Sequence, residues 1–127
     1  MRYLGIDYGT KRVGIAISDE AGEFAFPKAI VSTGEALDII DTICKQEQVA
    51  AIVIGESLAS NGEQNNLTPL INAFKAKLTL LTELPIFFER EGFSTVEAHR
   101  YQIDAGKRDD SAAAIILQRF LDKQKSM

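Results

Sequence analysis

The start of the chain contains two short apolar segments with strand-like patterns. The run from Tyr3 to Ile6 is apolar, and between Val13 and Ile17 large apolar residues alternate with smaller ones. Alternation with a period of two is typical of a pleated strand. Gly9 supplies the backbone freedom that a tight turn needs. The segment from Arg2 to Asp19 therefore predicts a strand, a turn and a second strand.

The rest of the chain alternates predicted strands with predicted amphipathic helices. Apolar runs bounded by turn residues predict strands, whereas apolar residues three or four apart predict helices. These patterns give a strand over 24–31, a helix over 34–46, a strand over 50–54, a polar loop over 56–66, a helix near residue 68, a strand over 85–88, and helices from Ser94 and from about Asp110. This order indicates an α/β fold with a partly parallel sheet.

Three predicted helices have a recognisable inward stripe. In the second helix we expect Thr68 to be the cap and Pro69 the first helical residue. Its predicted buried stripe is Leu67, Leu70, Ile71, Phe74, Leu78 and Leu81. The predicted inward residues of the last helix are Ala113, Ile116, Leu117 and Phe120. The apolar face of the first helix consists of Ala36, Leu37, Ile40, Ile43 and Cys44, the single cysteine, which is therefore predicted to be a core residue.

Size and composition are those of a soluble globular protein. The chain has 127 residues, 46% hydrophobic and 25% charged, and we expect one domain over residues 1–127. No apolar run approaches the roughly 20 residues that span a bilayer, and the N-terminus does not resemble a signal peptide. These features predict a cytoplasmic protein that has no membrane partner.

The charge balance is unfavourable for general binding to nucleic acid. The net charge is −4 and the pI is about 5.0, whereas affinity for phosphate backbones comes mainly from clustered Lys and Arg. Positive charge can still be concentrated locally, since the adjacent cations Lys11 and Arg12 follow Asp7 closely. We therefore expect specific rather than sequence-indifferent binding if a nucleic acid is the partner.

Three carboxylates stand at the ends of predicted elements. Asp7 closes the first strand, Glu91 follows the last strand, and Asp110 opens the last helix. Hard divalent cations prefer carboxylate oxygens, and two such ions can hold the attacking and leaving oxygens of a phosphodiester. Each acid also has a simpler explanation. Asp7 can bond its own turn amides, Glu91 can be a solvated loop residue, and Asp110 can cap its helix.

Four segments, in order, resemble the YqgF/RuvX family: GIDYGTKRVGIAISD at 5–19, VIGESLASNGEQ at 53–64, EGFSTVEA at 91–98 and DDSAAAIIL at 109–117. These small bacterial proteins are regarded as Holliday-junction-resolvase-like nucleases and are assigned to maturation of the 5′ end of pre-16S ribosomal RNA. The first segment also resembles the phosphate loop of the actin, Hsp70 and sugar-kinase superfamily, which matches no other segment.

The resemblance implies a fold, an activity and a set of site residues. The implied fold is ribonuclease H-like, a mixed five-stranded sheet with helices on both faces, and we expect Asp7 to lie near the centre of this sheet. Asp7, Glu91 and Asp110 fall on the family's acidic triad, which implies an endonuclease using Mg²⁺ or Mn²⁺. Its expected partner is pre-rRNA; the alternatives are branched DNA and a non-catalytic role in binding a nucleic acid or protein. Expected substrate contacts are Thr10, Lys11, Arg12, Asn61, Gly62, Ser94 and Thr95. A homodimer is compatible with the sequence.

Two parts of the chain depart from the family pattern. Arg90 and Gly92 flank Glu91 where members usually have Asp and Arg, and Ser57 replaces a proline. Gly92 removes a cation that would contact phosphate and makes this loop more flexible. Glu89, two residues upstream, is the alternative third ligand.

Overall fold

The computed structural model describes residues 1–56, 67–90 and 109–125. Five strands and three helices occur in these ranges. They are β1 (Arg2–Asp7), β2 (Arg12–Ser18), β3 (Ala25–Ser32), α1 (Thr33–Gln46), β4 (Val49–Glu56), α2 (Thr68–Thr82), β5 (Ile86–Arg90) and α3 (Asp109–Lys125). The helix predicted from Ser94 and the greater part of the predicted polar loop lie outside the described residues.

The five strands form one mixed sheet in the order β3-β2-β1-β4-β5. β1 pairs antiparallel with β2 and parallel with β4, and β4 pairs parallel with β5. β1 is therefore the central strand. Both the mixed five-stranded sheet and the central position of the strand that ends at Asp7 are confirmed.

Helices cover both faces of the sheet, as predicted. On one face, Leu4 and Ile6 of β1 pack with the buried residues of α1 and α2. On the other face, Tyr3 packs with the buried residues of α3, and its ring lies 5.7 Å from that of Phe120. Successive residues of a strand point to opposite faces, which explains how one short strand supplies both cores.

The prediction for α2 was partly wrong. The helix begins at Thr68 itself, with Leu67 in the N-cap position and Pro69 in the first turn. Leu70 and Leu81 were predicted to be buried but are 46% and 42% exposed. The buried side chains of α2 are Thr68, Ile71, Phe74 and Leu78. At about 100° per residue, this set fixes the inward direction and rotates Leu70 and Leu81 to the flank.

One further correction concerns the end of β4, and two other observations concern Cys44 and the length of the helices. Glu56 was assigned to the polar loop but is the last residue of β4, where its backbone lies in register with that of Arg90 in β5. Cys44 is buried in the core, as predicted. None of the described helices is long and apolar enough to cross a membrane.

Candidate functional site

The carboxyl ends of three parallel strands meet at one edge of the sheet. β1 ends at Asp7, β4 at Glu56 and β5 at Arg90. In α/β sheets, ligands bind preferentially at such an edge, because the loops that leave the strands converge there. Asp7 is partly buried and lies in register with Gly14 of β2.

Asp7 belongs to the face of the sheet that α3 covers. Ile6 points into the core under α1 and α2, and side chains alternate along a strand, so Asp7 lies on the same face as Tyr3 and Gly5. Burying a carboxylate on such a strand is costly unless polar or charged groups compensate. Asp7 is not without such compensation, because it has at least one interaction partner in the folded chain.

α3 runs antiparallel to β1. Tyr3 donates a hydrogen bond from Oη to Oε1 of Gln124 at 3.0 Å. Two residues further along β1, a Cβ on Gly5 would lie 2.7 Å from Cβ of Leu117 and 3.1 Å from the carbonyl oxygen of Ala113. The contacts therefore move toward the start of α3 as β1 proceeds toward its end.

The same trend locates the first turn of α3. Two more residues of strand, about 6.6 Å, correspond to about four residues of helix at 1.5 Å each. Gly5 faces Ala113 and Leu117, so Asp7 lies nearest the helix segment that begins at Asp109. The backbone thus brings the start of α3, where Asp110 stands, to the edge at which β1 ends.

The turn after β1 is fixed by a residue that the sequence did not single out. Thr33, the first residue of α1, donates from Oγ1 to the carbonyl oxygen of Gly9 at 2.7 Å, and its backbone N–H donates to the carbonyl oxygen of Lys11 at 3.0 Å. A Cβ on Gly9 would lie 2.5 Å from the carbonyl oxygen of Arg12, so only glycine fits. A threonine before a predicted helix signals a cap, and nothing local indicates a contact 24 residues away.

The polar residues of this turn face solvent. Thr10, Lys11 and Arg12 are exposed next to the partly buried Asp7. Because Thr33 holds the turn at two backbone carbonyls, the two cationic side chains start from a fixed backbone. Such an arrangement can bind an anion close to the end of β1.

Glu89 is held by two basic side chains of α3. Its side chain is only 3% exposed, and its Oε2 lies 2.7 Å from Nζ of Lys123 and 3.6 Å from Nε of Arg119. A buried carboxylate requires such partners, because desolvation of an unpaired charge is costly. These ion pairs account for Glu89 without a metal ligand role.

Cys44 is not suited to nucleophilic chemistry. Burial, followed by the charge of Asp41, raises the pKa of the Cys44 thiol to about 11. The thiol therefore stays protonated at neutral pH, and the thiolate is the reactive form. Among the side chains that the structure describes, which do not include that of Asp110, no group of three or more His, Cys, Asp or Glu is arranged to hold a metal ion.

The chain matches one family model over residues 1–123, and that model is described as "RuvX: Holliday junction resolvase". The chain belongs to the RuvX family. A relative from Oleidesulfovibrio alaskensis is 36% identical over 96% of this chain and 92% of its own length, and one from Roseiflexus sp. is 36% identical over 98% and 96%. Both are provisionally named pre-16S rRNA nucleases.

Solved structures with a similar fold include resolvases. The RuvC structure of Thermus thermophilus superposes with a TM-score of 0.66 at 14% identity, over 99% of this chain and 97% of that one. The fowlpox virus Holliday junction resolvase gives a TM-score of 0.55 at 14% identity, over 97% and 99%. These likenesses confirm the ribonuclease H-like fold that the RuvX family pattern implied.

The predicted RuvX-family site residues divide into two groups. Those at the described edge of the sheet are Asp7, Thr10, Lys11 and Arg12, with the backbone of Asp110 in the first turn of α3. Those outside the described residues are Asn61, Gly62, Glu91, Ser94 and Thr95. Glu91 follows Arg90, the last residue of β5, directly in the sequence.

Proposed function

We propose that this chain is a divalent-metal-dependent endonuclease whose substrate is the 5′ region of pre-16S ribosomal RNA. The observation that carries the proposal is the position of Asp7 at the end of the central strand, on the face where α3 begins. Membership of the RuvX family and the nuclease names of its relatives support the same activity.

The proposed metal ligands are Asp7, Glu91 and Asp110. Their carboxylate oxygens are the donors that Mg²⁺ and Mn²⁺ prefer. When bound, the metal would activate water and stabilise the charge that develops on the phosphodiester. Asp7 is supplied by a rigid central strand, which suits a ligand that must keep its place.

The substrate contacts proposed for this edge are basic and polar. Lys11 and Arg12 would bind backbone phosphates as cations, and the Thr10 hydroxyl would donate to a phosphate oxygen. These residues are exposed and carry no base-specific geometry, so they would position the strand rather than read its sequence. Asn61, Gly62, Ser94 and Thr95 remain proposed contacts of the same kind.

A second candidate substrate is a four-way DNA junction. The description of the family model names this activity, and the same carboxylates and cations would serve either phosphodiester. The two candidate functions differ only in the nucleic acid that binds at the edge of the sheet where β1 ends. A direct comparison of the two substrates therefore decides between them.

The test is a cleavage assay on a pre-16S rRNA fragment with its 5′ extension and on a four-way DNA junction. We expect cleavage of the RNA with Mg²⁺ or Mn²⁺ and none with EDTA. If the enzyme cleaves the DNA junction in preference to the RNA, the substrate is the junction and not the pre-16S rRNA. Binding of either nucleic acid without cleavage under any metal would support the non-catalytic alternative.

Acid-to-amide variants test the site itself. Asp7→Asn and Asp110→Asn should each lower cleavage by about 100-fold or more, because an amide is a poorer ligand for a hard cation. Asp110 was considered as the helix cap, but α3 begins one residue earlier, at Asp109, so Asp110 lies within the first turn. There its charge interacts with the helix dipole, an effect of about 0.3–1 kcal/mol that a thermal melt of Asp110→Asn measures separately from cleavage. Glu20→Gln, an exposed acid in the turn at the opposite end of the sheet, is the control and should cleave like wild type. Full activity of Asp7→Asn would contradict the proposal.

A further inference from the structure

The turn after β1 projects beyond the paired part of the sheet. The pairing of β1 with β2 ends at Asp7 and Gly14, whereas β2 pairs with β3 as far as Arg12. Residues 8–11 therefore lie outside both strand pairs, although this turn carries Lys11 and leads directly from Asp7 to Arg12. Its position must be set by contacts other than the sheet ladder.

Two helices supply such contacts. The ring of Tyr8 packs against that of Phe74 in α2, with 5.0 Å between the ring centroids. From α1, Thr33 donates its hydroxyl to the Gly9 carbonyl oxygen at 2.7 Å and its backbone N–H to the Lys11 carbonyl oxygen at 3.0 Å. A single residue of α1 thus bonds two carbonyls of the turn.

The hydroxyl bond of Thr33 serves the turn rather than its own helix. Thr33 is the first residue of α1, and its Oγ1 bonds a carbonyl that lies 24 residues earlier in the chain. A hydroxyl that caps a helix accepts from a backbone N–H of the first turn instead. The side chain of Thr33 therefore adds to the position of the turn and not to the start of α1.

The position of the turn matters more for cleavage than for binding. Lys11 and Arg12 have long, flexible side chains that can reach a phosphate from several positions of the backbone. Cleavage also requires the phosphodiester to lie at the metal that Asp7 would bind, and a misplacement of about 1 Å can cost about 100-fold in rate. A loosened turn should still bind nucleic acid but present it to Asp7 in a range of positions.

We propose that Thr33 is a positioning residue for cleavage. Its hydroxyl holds the turn after β1 so that a phosphate bound by Lys11 and Arg12 lies at Asp7. Thr33 acts through the carbonyl oxygen of Gly9 and does not itself touch the substrate. This role of Thr33 rests on the proposed nuclease function.

Thr33→Val tests the role of the hydroxyl, because valine keeps the branched shape and the backbone N–H. The assay is single-turnover cleavage, with Mg²⁺, of whichever substrate the wild-type chain cleaves, the pre-16S rRNA fragment or the four-way DNA junction. We expect the rate at saturating protein to fall about tenfold, while Kd from fluorescence anisotropy in EDTA stays within about twofold. The salt dependence of binding should not change, because no charge is removed. Thr33→Ser keeps the hydroxyl and should keep the rate to within about twofold.

Thr82→Val is the matched control for the loss of a hydroxyl. Thr82 is half-buried like Thr33, and its Oγ1 donates to the Leu78 carbonyl oxygen at 2.9 Å. It ends α2 just before β5 begins, so it lies at the edge of the sheet opposite to Asp7. Both valine variants should lower the melting temperature, but Thr82→Val should cleave like wild type at a temperature where all variants are folded.

Hydrogen exchange tests the hold on the turn without metal or nucleic acid. The amide at position 33 donates to Lys11, so its protection reports how often this contact opens. Exchange followed by NMR should show protection about fivefold lower in Thr33→Val, because one bond fewer holds the turn. Thr33→Ser and Thr82→Val should keep the wild-type protection at this amide.

Three results would overturn the role of Thr33. The first is a Thr33→Val variant that cleaves at the wild-type rate. The second is an equal loss of rate in Thr33→Ser or Thr82→Val, which would trace the effect to shape or stability instead of the hydroxyl. The third is unchanged protection of the amide at position 33. A failure of the proposed function is distinguishable, because the wild-type chain then cleaves neither substrate, which excludes any role of Thr33 in cleavage as well.

Discussion

Two carboxylates on the same face of the sheet are in different environments. Asp7 is partly buried at the end of β1, beside exposed cations. The Glu89 side chain is 3% exposed, and its Oε2 lies 2.7 Å from Nζ of Lys123 and 3.6 Å from Nε of Arg119. The sequence offered Glu89 as an alternative metal ligand, but a carboxylate that already neutralises two basic groups is a structural element of the fold.

Glu89→Gln should destabilise the protein by about 3 kcal/mol, because it leaves the largely buried Arg119 without the Glu89 carboxylate. The measurement is urea unfolding at constant salt concentration, monitored by circular dichroism. The midpoint should fall while the slope stays near its wild-type value, since the surface exposed on unfolding is unchanged.

Lys123→Met is the matched control for Glu89→Gln. The side chain of Lys123 is 62% exposed, so its ion pair is largely screened by water, and methionine keeps the apolar stem. Its effect should be below about 1 kcal/mol. Equal losses of stability from the two variants would show that burial of Glu89 does not set the energy of the ion pair.

At the scale of elements, the packing of α3 on β1 depends on one glycine. A Cβ at position 5 would approach Cβ of Leu117 to 2.7 Å and the carbonyl oxygen of Ala113 to 3.1 Å. Neither atom belongs to the flexible end of a side chain, so α3 would have to move away from the sheet. Gly5 therefore determines how closely the helix that carries Asp110 approaches β1.

Gly5→Ala should cost about 1–3 kcal/mol of stability through overpacking. Cleavage should fall further than stability alone explains, since α3 shifts relative to Asp7 and a misplacement of about 1 Å can cost about 100-fold in rate. Activity is measured at a temperature where the variant is fully folded.

Gly34→Ala is the control for this substitution. No atom would lie within 4 Å of a Cβ at Gly34, which belongs to α1, so stability and activity should be equal to or above wild type. If Gly5→Ala behaved in the same way, the close approach of α3 would not matter for the site.

At the scale of the whole molecule, charge is distributed unevenly. The net charge is −4, yet the edge where β1 ends carries the exposed Lys11 and Arg12. An acidic remainder repels nucleic acid at long range and a local cation pair attracts it. Binding should therefore depend strongly on these two side chains.

Replacing Lys11 and Arg12 together by Ala should weaken binding of any bound nucleic acid regardless of its sequence. The slope of log K against log salt should decrease by about 0.7 to 0.9 for each phosphate that the variant no longer neutralises. Fluorescence anisotropy at several salt concentrations measures this slope. The Asp7→Asn substitution is included in every protein of the series and EDTA is added, so that cleavage does not interfere with the binding measurement.

Lys28 and Lys45 provide the control pair. Both pair with acids in the folded chain, Lys28 with Glu47 and Lys45 with Asp41, and neither belongs to the turn after β1. Their replacement by Ala should leave the slope unchanged. A slope that responds to this pair and not to Lys11 and Arg12 would place the binding surface elsewhere.

The sequence by itself determined which elements form, whereas the full topology of the sheet was implied by the family pattern. Period-two and helical spacings depend on neighbours within a few residues, so the five strands and the three described helices could be predicted to within about two residues. The position of Asp7 at the end of a strand likewise identified it as a candidate site residue. Selecting Glu91 and Asp110 as candidates required the family pattern, because an acid in a loop or at a helix start has an ordinary local explanation.

The tertiary structure alone decided how the elements meet. The rotation of α2 that exposes Leu70 and Leu81, the hold of Thr33 on the turn at Gly9, the ion pairs of Glu89 and the packing of Gly5 against Leu117 all join distant parts of the chain. Such interactions depend on the packing of whole surfaces rather than on local propensity. A local pattern can show that a helix has an apolar side, but the sheet beneath it decides which residues of that side are buried.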